Sequence, residues 1–218
     1  DLISILDYTR EDLDYFLKFA EECAQKPAMR PLANKILASC FFEPSTRTRL
    51  SFETAMLQLG GSYIGFSDSA TTSIQKGETL ADSIRVISSY ADILVIRHPL
   101  AFSAKIAADA ASIPVINAGD GPNEHPTQTL VDLYSILKCQ QTIDGLQIAL
   151  TGDLRFARTT HSLCYALAQY RVRLIFIADP AFLPPPELLA WLDEKQVPYS
   201  CHNVLEKAIP QADILYIT

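Results

Sequence analysis

What this chain of 218 residues lacks narrows its class before any motif is considered. Its five cysteines (Cys23, Cys40, Cys139, Cys164 and Cys201) are odd in number and widely spaced, with no CxxC pair, and its four histidines do not cluster. That pattern argues against a disulfide framework and against a zinc site, and it predicts the reduced thiols of a cytoplasmic protein. No apolar run approaches the roughly 18 residues of a membrane-spanning helix, and no charged-then-apolar leader opens the chain. Basic residues are the minority, 18 against 25 acidic ones, and the net charge of -7 counts against nucleic acid as a partner. Any anion chemistry must therefore be local. Neither GxGxxG nor GxxxxGK[ST] occurs, and neither an internal repeat nor a low-complexity tract is visible.

What is present is an alternation. With 49% hydrophobic and 20% charged residues, the chain can fill one large or two modest domains. Short apolar runs at 36–42, 62–66, 92–96, 113–116, 146–151, 172–177 and 213–217 read as buried strands. Between them Phe52, Ala55, Met56 and Leu59 recur at i, i+3, i+4 and i+7, and Leu80, Ile84 and Ile87 nearly so, as on helices. Strand and helix in turn predict an α/β fold of two doubly wound parallel-sheet domains. A helix over 126–140 separates the two groups of strands, so the boundary is expected near residue 135, giving domains 1–135 and 136–218. LPPPE at 183–187 is a stiff lead-in to a helix over 187–195. The last strand, 213–217, has no helix after it to cover the sheet, so an incompletely covered, incomplete second domain is expected.

The stretch FFEPSTRTRLSFE, residues 41–53, concentrates hydroxyls and guanidinium groups where a strand gives way to a helix. Ligands of open α/β sheets sit at the carboxyl ends of strands. A helix N-terminus there offers unpaired N–H groups and a partial positive charge. Hydroxyls and an arginine added to it make a phosphate cradle, since hydrogen bonds to charged groups are worth about 1.5–3 kcal/mol each. The plainer alternative makes Ser45 an N-cap and Arg49 with Glu53 a solvated i, i+4 pair. It suffices for Arg49, but an N-cap needs one hydroxyl and the string supplies three beside Arg47. A second polar junction, Arg97-His98-Pro99, follows the strand 92–96, and a third, the turn-rich loop NAGDGPNEHPTQTL at 117–130, carries His125 and Gln128. One such residue alone would be structural; three polar junctions on one sheet point to a site.

Taken together, FFEPSTRTRLSFE, SIQKGETLADS (73–83), IRHP (96–99), NAGDGPNEHPTQTLVDLYS (117–135) and TGDLRFARTTHSL (151–163) closely resemble the aspartate carbamoyltransferase catalytic chains, in order along essentially the whole sequence. The resemblance implies transfer of a carbamoyl group from carbamoyl phosphate to the amine of L-aspartate in pyrimidine synthesis, without a cofactor or metal. It implies that Ser45, Thr46, Arg47 and Thr48 bind the phosphate, and that Arg97, His125 and Gln128 hold the carbamoyl carbonyl oxygen and amide. It further implies that Arg158 binds a carboxylate of aspartate and that Lys76 also binds aspartate. Ser73 and Lys76 would reach into a neighbouring subunit's site, making an obligate homotrimer with shared active sites, and the family admits regulatory chains and allosteric assembly. Glu43 would pair with basic groups across the domain cleft. Family members continue beyond the position of Thr218 with a mobile loop and a helix that packs back on the first domain.

The chemistry is consistent with those roles. Attack of a neutral amine on a carbonyl builds charge on oxygen, and donors from Thr48, Arg97 and His125 would each contribute on the order of 2.7–4 kcal/mol. Phosphate is a ready leaving group that Arg47, the helix terminus and Lys76 would neutralise. His98, His161 and His202 read as structural, and Lys35, Lys105 and Lys138 as solvated. The nearest rival, an ornithine carbamoyltransferase, lacks the counterpart of Lys76 and has an Asn-containing turn in place of GDLRFAR, where an arginine suits an acidic substrate better than an ornithine ammonium. A nucleotide-binding reading of 148–163 has only Gly152 to support it. A catalytically silent scaffold would have no use for so many desolvated polar groups.

Overall fold

The computed structural model describes residues 1–25, 30–68 and 76–218. In chain order the elements are α1 (Arg10–Gln25), β1 (Ile36–Phe41), α2 (Arg47–Gln58), β2 (Ser62–Phe66), α3 (Leu80–Ser88), β3 (Ile93–His98), α4 (Ser103–Ala110), β4 (Val115–Asp120) and α5 (Pro126–Gln140). They continue with β5 (Gln147–Thr151), α6 (Arg158–Leu167), β6 (Arg173–Ile177), α7 (Pro186–Glu194), β7 (Tyr199–His202), α8 (Leu205–Ala208) and β8 (Ile214–Ile217). Two compact units result, Asp1–Ser4 with Lys18–Thr127 and Ile5–Leu17 with Gln128–Thr218.

The first unit is a four-stranded sheet in the order β2-β1-β3-β4, parallel throughout. Side chains on a strand alternate between faces, and the core divides accordingly. Ala38, Cys40 and Phe42 pack with Ile84 of α3 and with Ala104 and Ala107 of α4. Leu37 and Phe41, one residue out of phase, pack with Met56 of α2. Helices on both faces explain why these strands are apolar runs rather than alternating ones. The second unit repeats the scheme in the order β7-β6-β5-β8, again all parallel. Ile148, Leu150, Leu174 and Phe176 face a large cluster with Leu163, Leu188 and Leu13. The opposite face carries a smaller one, Ala149, Ile175 and Ile177 against Ala208 of α8.

Two strand limits and one whole strand differ from expectation. β3 runs on to His98 because Arg97 pairs with Phe41 and His98 with Asp120. β4 extends through Asn117-Ala118-Gly119-Asp120, which turn propensity assigned to a loop. These polar residues stay buried because they satisfy one another: Asn117 Nδ2 donates to Asp120 Oδ1 (3.1 Å), and Gly119 N–H donates to Asn117 Oδ1 (2.8 Å). β7 was not anticipated, since Tyr-Ser-Cys-His forms no apolar run and pairs on one side only.

In the second unit Arg10 stacks over the Tyr170 ring (3.7 Å) and donates to Asp144 Oδ2 (3.1 Å), while Arg171 N–H donates to Asp144 Oδ1 (2.7 Å). The Arg10 hydrogen bond, and then that from Arg171, hold the Asp144 carboxyl below its ordinary value of 3.8. A depressed carboxyl stabilises above its unfolded pKa and loses that contribution as pH falls through the folded one. Asp144→Asn should therefore lower Tm by about 2 °C at neutral pH, a modest figure because the pair is partly solvated. The gap from wild type should close below pH 3.8 in thermal melts; a gap independent of pH would reject this origin.

Candidate active site

β1 and β3 are neighbours, so their carboxyl ends open at the same edge of the first sheet. Phe42 N–H donates to Arg97 O (2.8 Å), which sets the Arg97 side chain beside the segment that enters α2. Its Nε donates to Glu43 Oε1 at 2.6 Å, and its Nη1 donates to Ser45 Oγ at 3.1 Å and to Thr48 Oγ1 at 3.4 Å. The pair is largely shielded, with 17% of the Arg97 side chain and 24% of that of Glu43 exposed. Three of the expected site residues, Ser45, Thr48 and Arg97, are thus brought together. Glu43 joins them, because the register of β1 and β3 brings it beside Arg97 of its own unit.

This arrangement directs protons. A hydroxyl that accepts from a guanidinium has its own O–H free to point elsewhere. Ser45 and Thr48 are therefore preset as donors, which is what an anionic phosphate and a carbonyl oxygen gathering charge require. Glu43 meanwhile neutralises Arg97.

The start of α2 differs from the N-cap expected at Ser45. The capping position is Thr46, helical at φ -81° and ψ -57°, and no side chain caps the helix. Ser45 is diverted to Arg97 instead. No acidic residue occupies the first turn, and Arg47, exposed, is the first helical residue. By contrast α3 is capped by Thr79, which accepts from Asp82 N–H, with Asp82 in its first turn. A cation at the positive end of an uncapped helix is unfavourable unless an anion joins it. In the second unit α6 follows the same plan: Ala157 provides no side-chain cap, no acid lies in the first turn, and Arg158 leads the helix. Gly152 shapes the turn before it, with φ +118° and only 2.5 Å between a hypothetical Cβ and Thr218 O.

Arg49 and Glu53 do form an i, i+4 pair (3.7 Å), but it is not the solvated pair expected. Glu53 is buried and accepts from Ser39 Oγ of β1 (3.0 Å), which ties α2 to the sheet. His125 is buried just ahead of α5, with Thr127 Oγ1 3.2 Å from its Nδ1. Gln128, on the first turn of α5 and in the second unit, donates from Nε2 to Asp132 Oδ1 (2.9 Å), and Tyr216 OH donates to Asp132 Oδ2 (3.2 Å). Asp132 was passed over in the sequence, although Gln and Asp four apart on a helix are a recognisable hydrogen-bonding pair. Lys76 and Thr46 are exposed. Ser73 lies outside the described residues.

The remaining histidines have structural partners. His98 Nδ1 accepts from Leu100 N–H (3.1 Å) beneath the ring of Phe42, and burial lowers its pKa against the pull of Glu43 and Asp120. His161 Nε2 lies 3.0 Å from Leu154 O, and His202 Nε2 lies 3.0 Å from Ser200 Oγ.

Comparison with known proteins gives this geometry a lineage. The profile described as "Aspartate/ornithine carbamoyltransferase, carbamoyl-P binding domain" matches residues 1–138. The whole chain is 50% identical to the aspartate carbamoyltransferase catalytic subunit of Chromobacterium violaceum and 52% identical to that of Thermococcus kodakarensis, spanning 72% of each. Among solved structures, it superposes over its full length on aspartate transcarbamoylase from Trypanosoma cruzi in complex with carbamoyl phosphate and aspartate, with a TM-score of 0.94, 35% identity and 75% of that chain covered. Over 99% of its length it matches the catalytic subunit of M. jannaschii aspartate transcarbamoylase, with a TM-score of 0.91, 44% identity and 72% of that chain covered. The chain belongs to the aspartate/ornithine carbamoyltransferase family and, within it, to the aspartate carbamoyltransferase catalytic subunits.

Proposed function

We infer that this chain transfers the carbamoyl group of carbamoyl phosphate to the amine of L-aspartate, releasing N-carbamoyl-L-aspartate and phosphate, a step of pyrimidine biosynthesis. The observation that carries this is the 50% identity, over the entire chain, with catalytic subunits of that name. It is supported by a relative solved with N-(phosphonacetyl)-L-aspartic acid, which joins the two substrate halves in one molecule.

The roles of individual residues are proposals that the local chemistry supports. Arg47, Ser45, Thr46, Thr48 and the uncapped start of α2 take the phosphate. Arg97, Thr48 and His125 donate to the carbonyl oxygen as the amine nitrogen bonds to carbon and the tetrahedral centre forms. The C–O bond to phosphate then breaks with its electron pair going to the phosphate oxygen, the nitrogen gives its proton to that departing phosphate, and the basic groups stabilise the resulting dianion. Gln128 takes the carbamoyl NH2, and Arg158, leading α6, takes a carboxylate of aspartate. Residues 1–135 would form the carbamoyl phosphate domain and 136–218 the aspartate domain.

A homotrimer with shared sites is proposed in the same way, with Ser73 and Lys76 completing the neighbour's site. Leu50 and Leu57 on α2 are exposed, as are Tyr63 and Ile64 on the two faces of the edge strand β2, and such exposed apolar residues suit a subunit interface. Regulatory chains are compatible with this arrangement. Free cysteines throughout suit a reducing cytoplasm. No helix among the described residues is long and apolar enough to cross a membrane.

The direct test supplies carbamoyl phosphate with aspartate or ornithine and separates the products. Carbamoyl aspartate is expected in excess of citrulline; citrulline in excess would overturn the assignment.

A further inference from the structure

We propose that Asp132 is a positioning residue for catalysis, holding the Gln128 amide with its NH2 turned inward so that the carbonyl oxygen is presented to the NH2 of the carbamoyl group. The proposal rests on the reading of Gln128 as the residue that meets that NH2.

A glutamine amide is nearly the same shape in either of its two flips, yet its two ends have opposite hydrogen-bonding character. The carbamoyl NH2 can only donate. If Gln128 presented its own NH2, donor would face donor and the contact would turn repulsive. A carboxylate can only accept, so Asp132 Oδ1, 2.9 Å from Gln128 Nε2, admits one flip and rejects the other. The second oxygen is engaged as well, by Tyr216 OH at 3.2 Å, which prevents the carboxylate from rotating away. Tyr216 is itself fixed on β8, in register with Leu150 of β5, and it receives a further hydrogen bond from Thr159, the residue after Arg158. One chain of hydrogen bonds therefore runs from Gln128 to the first turn of α6.

The surroundings keep this pairing tight. Asp132 is half-buried beside a cleft of about 200 Å³ to which Ile136, Ile148 and Ile214 contribute apolar walls. Burial raises the pKa of Asp132, offset by the hydrogen bonds from Gln128 and Tyr216, and burial pushes the Tyr216 hydroxyl up to about 12, keeping it protonated and donating.

Asp132→Asn is the informative change, because asparagine has the same shape but can donate to Gln128 Oε1 and so stabilise the wrong flip. The probes are phosphonoacetamide, which carries the carboxamide on a phosphonate, and inorganic phosphate, which lacks it, each titrated calorimetrically into the chain. Asp132→Asn should weaken phosphonoacetamide binding about tenfold and leave phosphate binding as in wild type. Gln128→Ala should show the same selective loss, and the double variant should lose no more than Gln128→Ala alone. If Gln128→Ala binds both probes normally, the reading of Gln128 fails and this proposal falls with it. If Gln128→Ala shows the selective loss but Asp132→Asn binds like wild type, or weakens both probes equally, the reading of Gln128 stands and the positioning role is overturned. Tyr216→Phe, which removes only the second donor, should give a smaller loss with the same selectivity; equal weakening of both probes would again point to a structural role.

Discussion

Arg97→Ala should lower kcat by about 10³-fold and raise KM for carbamoyl phosphate, while Tm stays near that of wild type. Three losses combine in this one change. The guanidinium no longer donates to the oxygen that gathers charge in the tetrahedral centre. Ser45 and Thr48 lose the donor at 3.1 and 3.4 Å that turns their own protons outward. Glu43 loses its partner at 2.6 Å, which leaves its charge less compensated beside the proposed site for a dianion. The third loss can be separated from the first two. Adding Glu43→Gln to Arg97→Ala should recover part of the carbamoyl phosphate affinity but little of kcat, because repulsion is relieved and the missing donor is not replaced. Steady-state kinetics on the single and double variants check this, and an Arg97→Ala enzyme with unchanged kcat/KM would remove Arg97 from the mechanism.

The second large effect is a gain. Lys76→Ala and Arg97→Ala chains, each nearly inactive alone, should recover about a quarter of wild-type activity when mixed in equal amounts and reassembled. In the proposed trimer every site draws Arg97 from one subunit and Lys76 from its neighbour. A site is whole only when the first subunit is the Lys76 variant and the second the Arg97 variant, and each condition is met half the time. Activity assays on hybrids, with trimers verified by light scattering, measure the recovery. Trimeric mixtures that remain silent at every ratio would count against shared sites.

The parts of this molecule that were legible in the sequence are those where neighbouring residues carry the information. Parallel strands covered on both faces appear as apolar runs, so the alternation of sheet and helix could be read directly. The string Ser45-Thr46-Arg47-Thr48 stands out as a proposed anion site because its hydroxyls and guanidinium lie within one turn. Non-local features were less visible. The Glu43–Arg97 pair depends on β1 and β3 being adjacent, which no spacing along the chain encodes. The strand ends at Arg97-His98 and Asn117–Asp120 are polar and looked like loops until their pairing and mutual hydrogen bonds were seen. Glu53 was misjudged because a glutamate four residues after an arginine ordinarily sits in solvent, whereas here Ser39 gives it a buried partner. Asp132 was legible in principle, at helical spacing from Gln128, but its significance depends on Tyr216, 84 residues away.

The buried link from Ser39 to Glu53 has a consequence for how this enzyme can change. A helix held by packing alone can roll about its axis by small increments as its apolar residues are exchanged. This one is restrained, because a roll would pull the buried Glu53 carboxylate away from the Ser39 hydroxyl of the strand beneath and leave it, among the described residues, only Arg49 of its own helix as a partner. Variation on the outer side of α2, at Leu50 or Leu57, is thereby insulated from the direction in which Arg47 and Thr48 aim. Exchanges at those two positions can accumulate without moving the start of the helix one turn away.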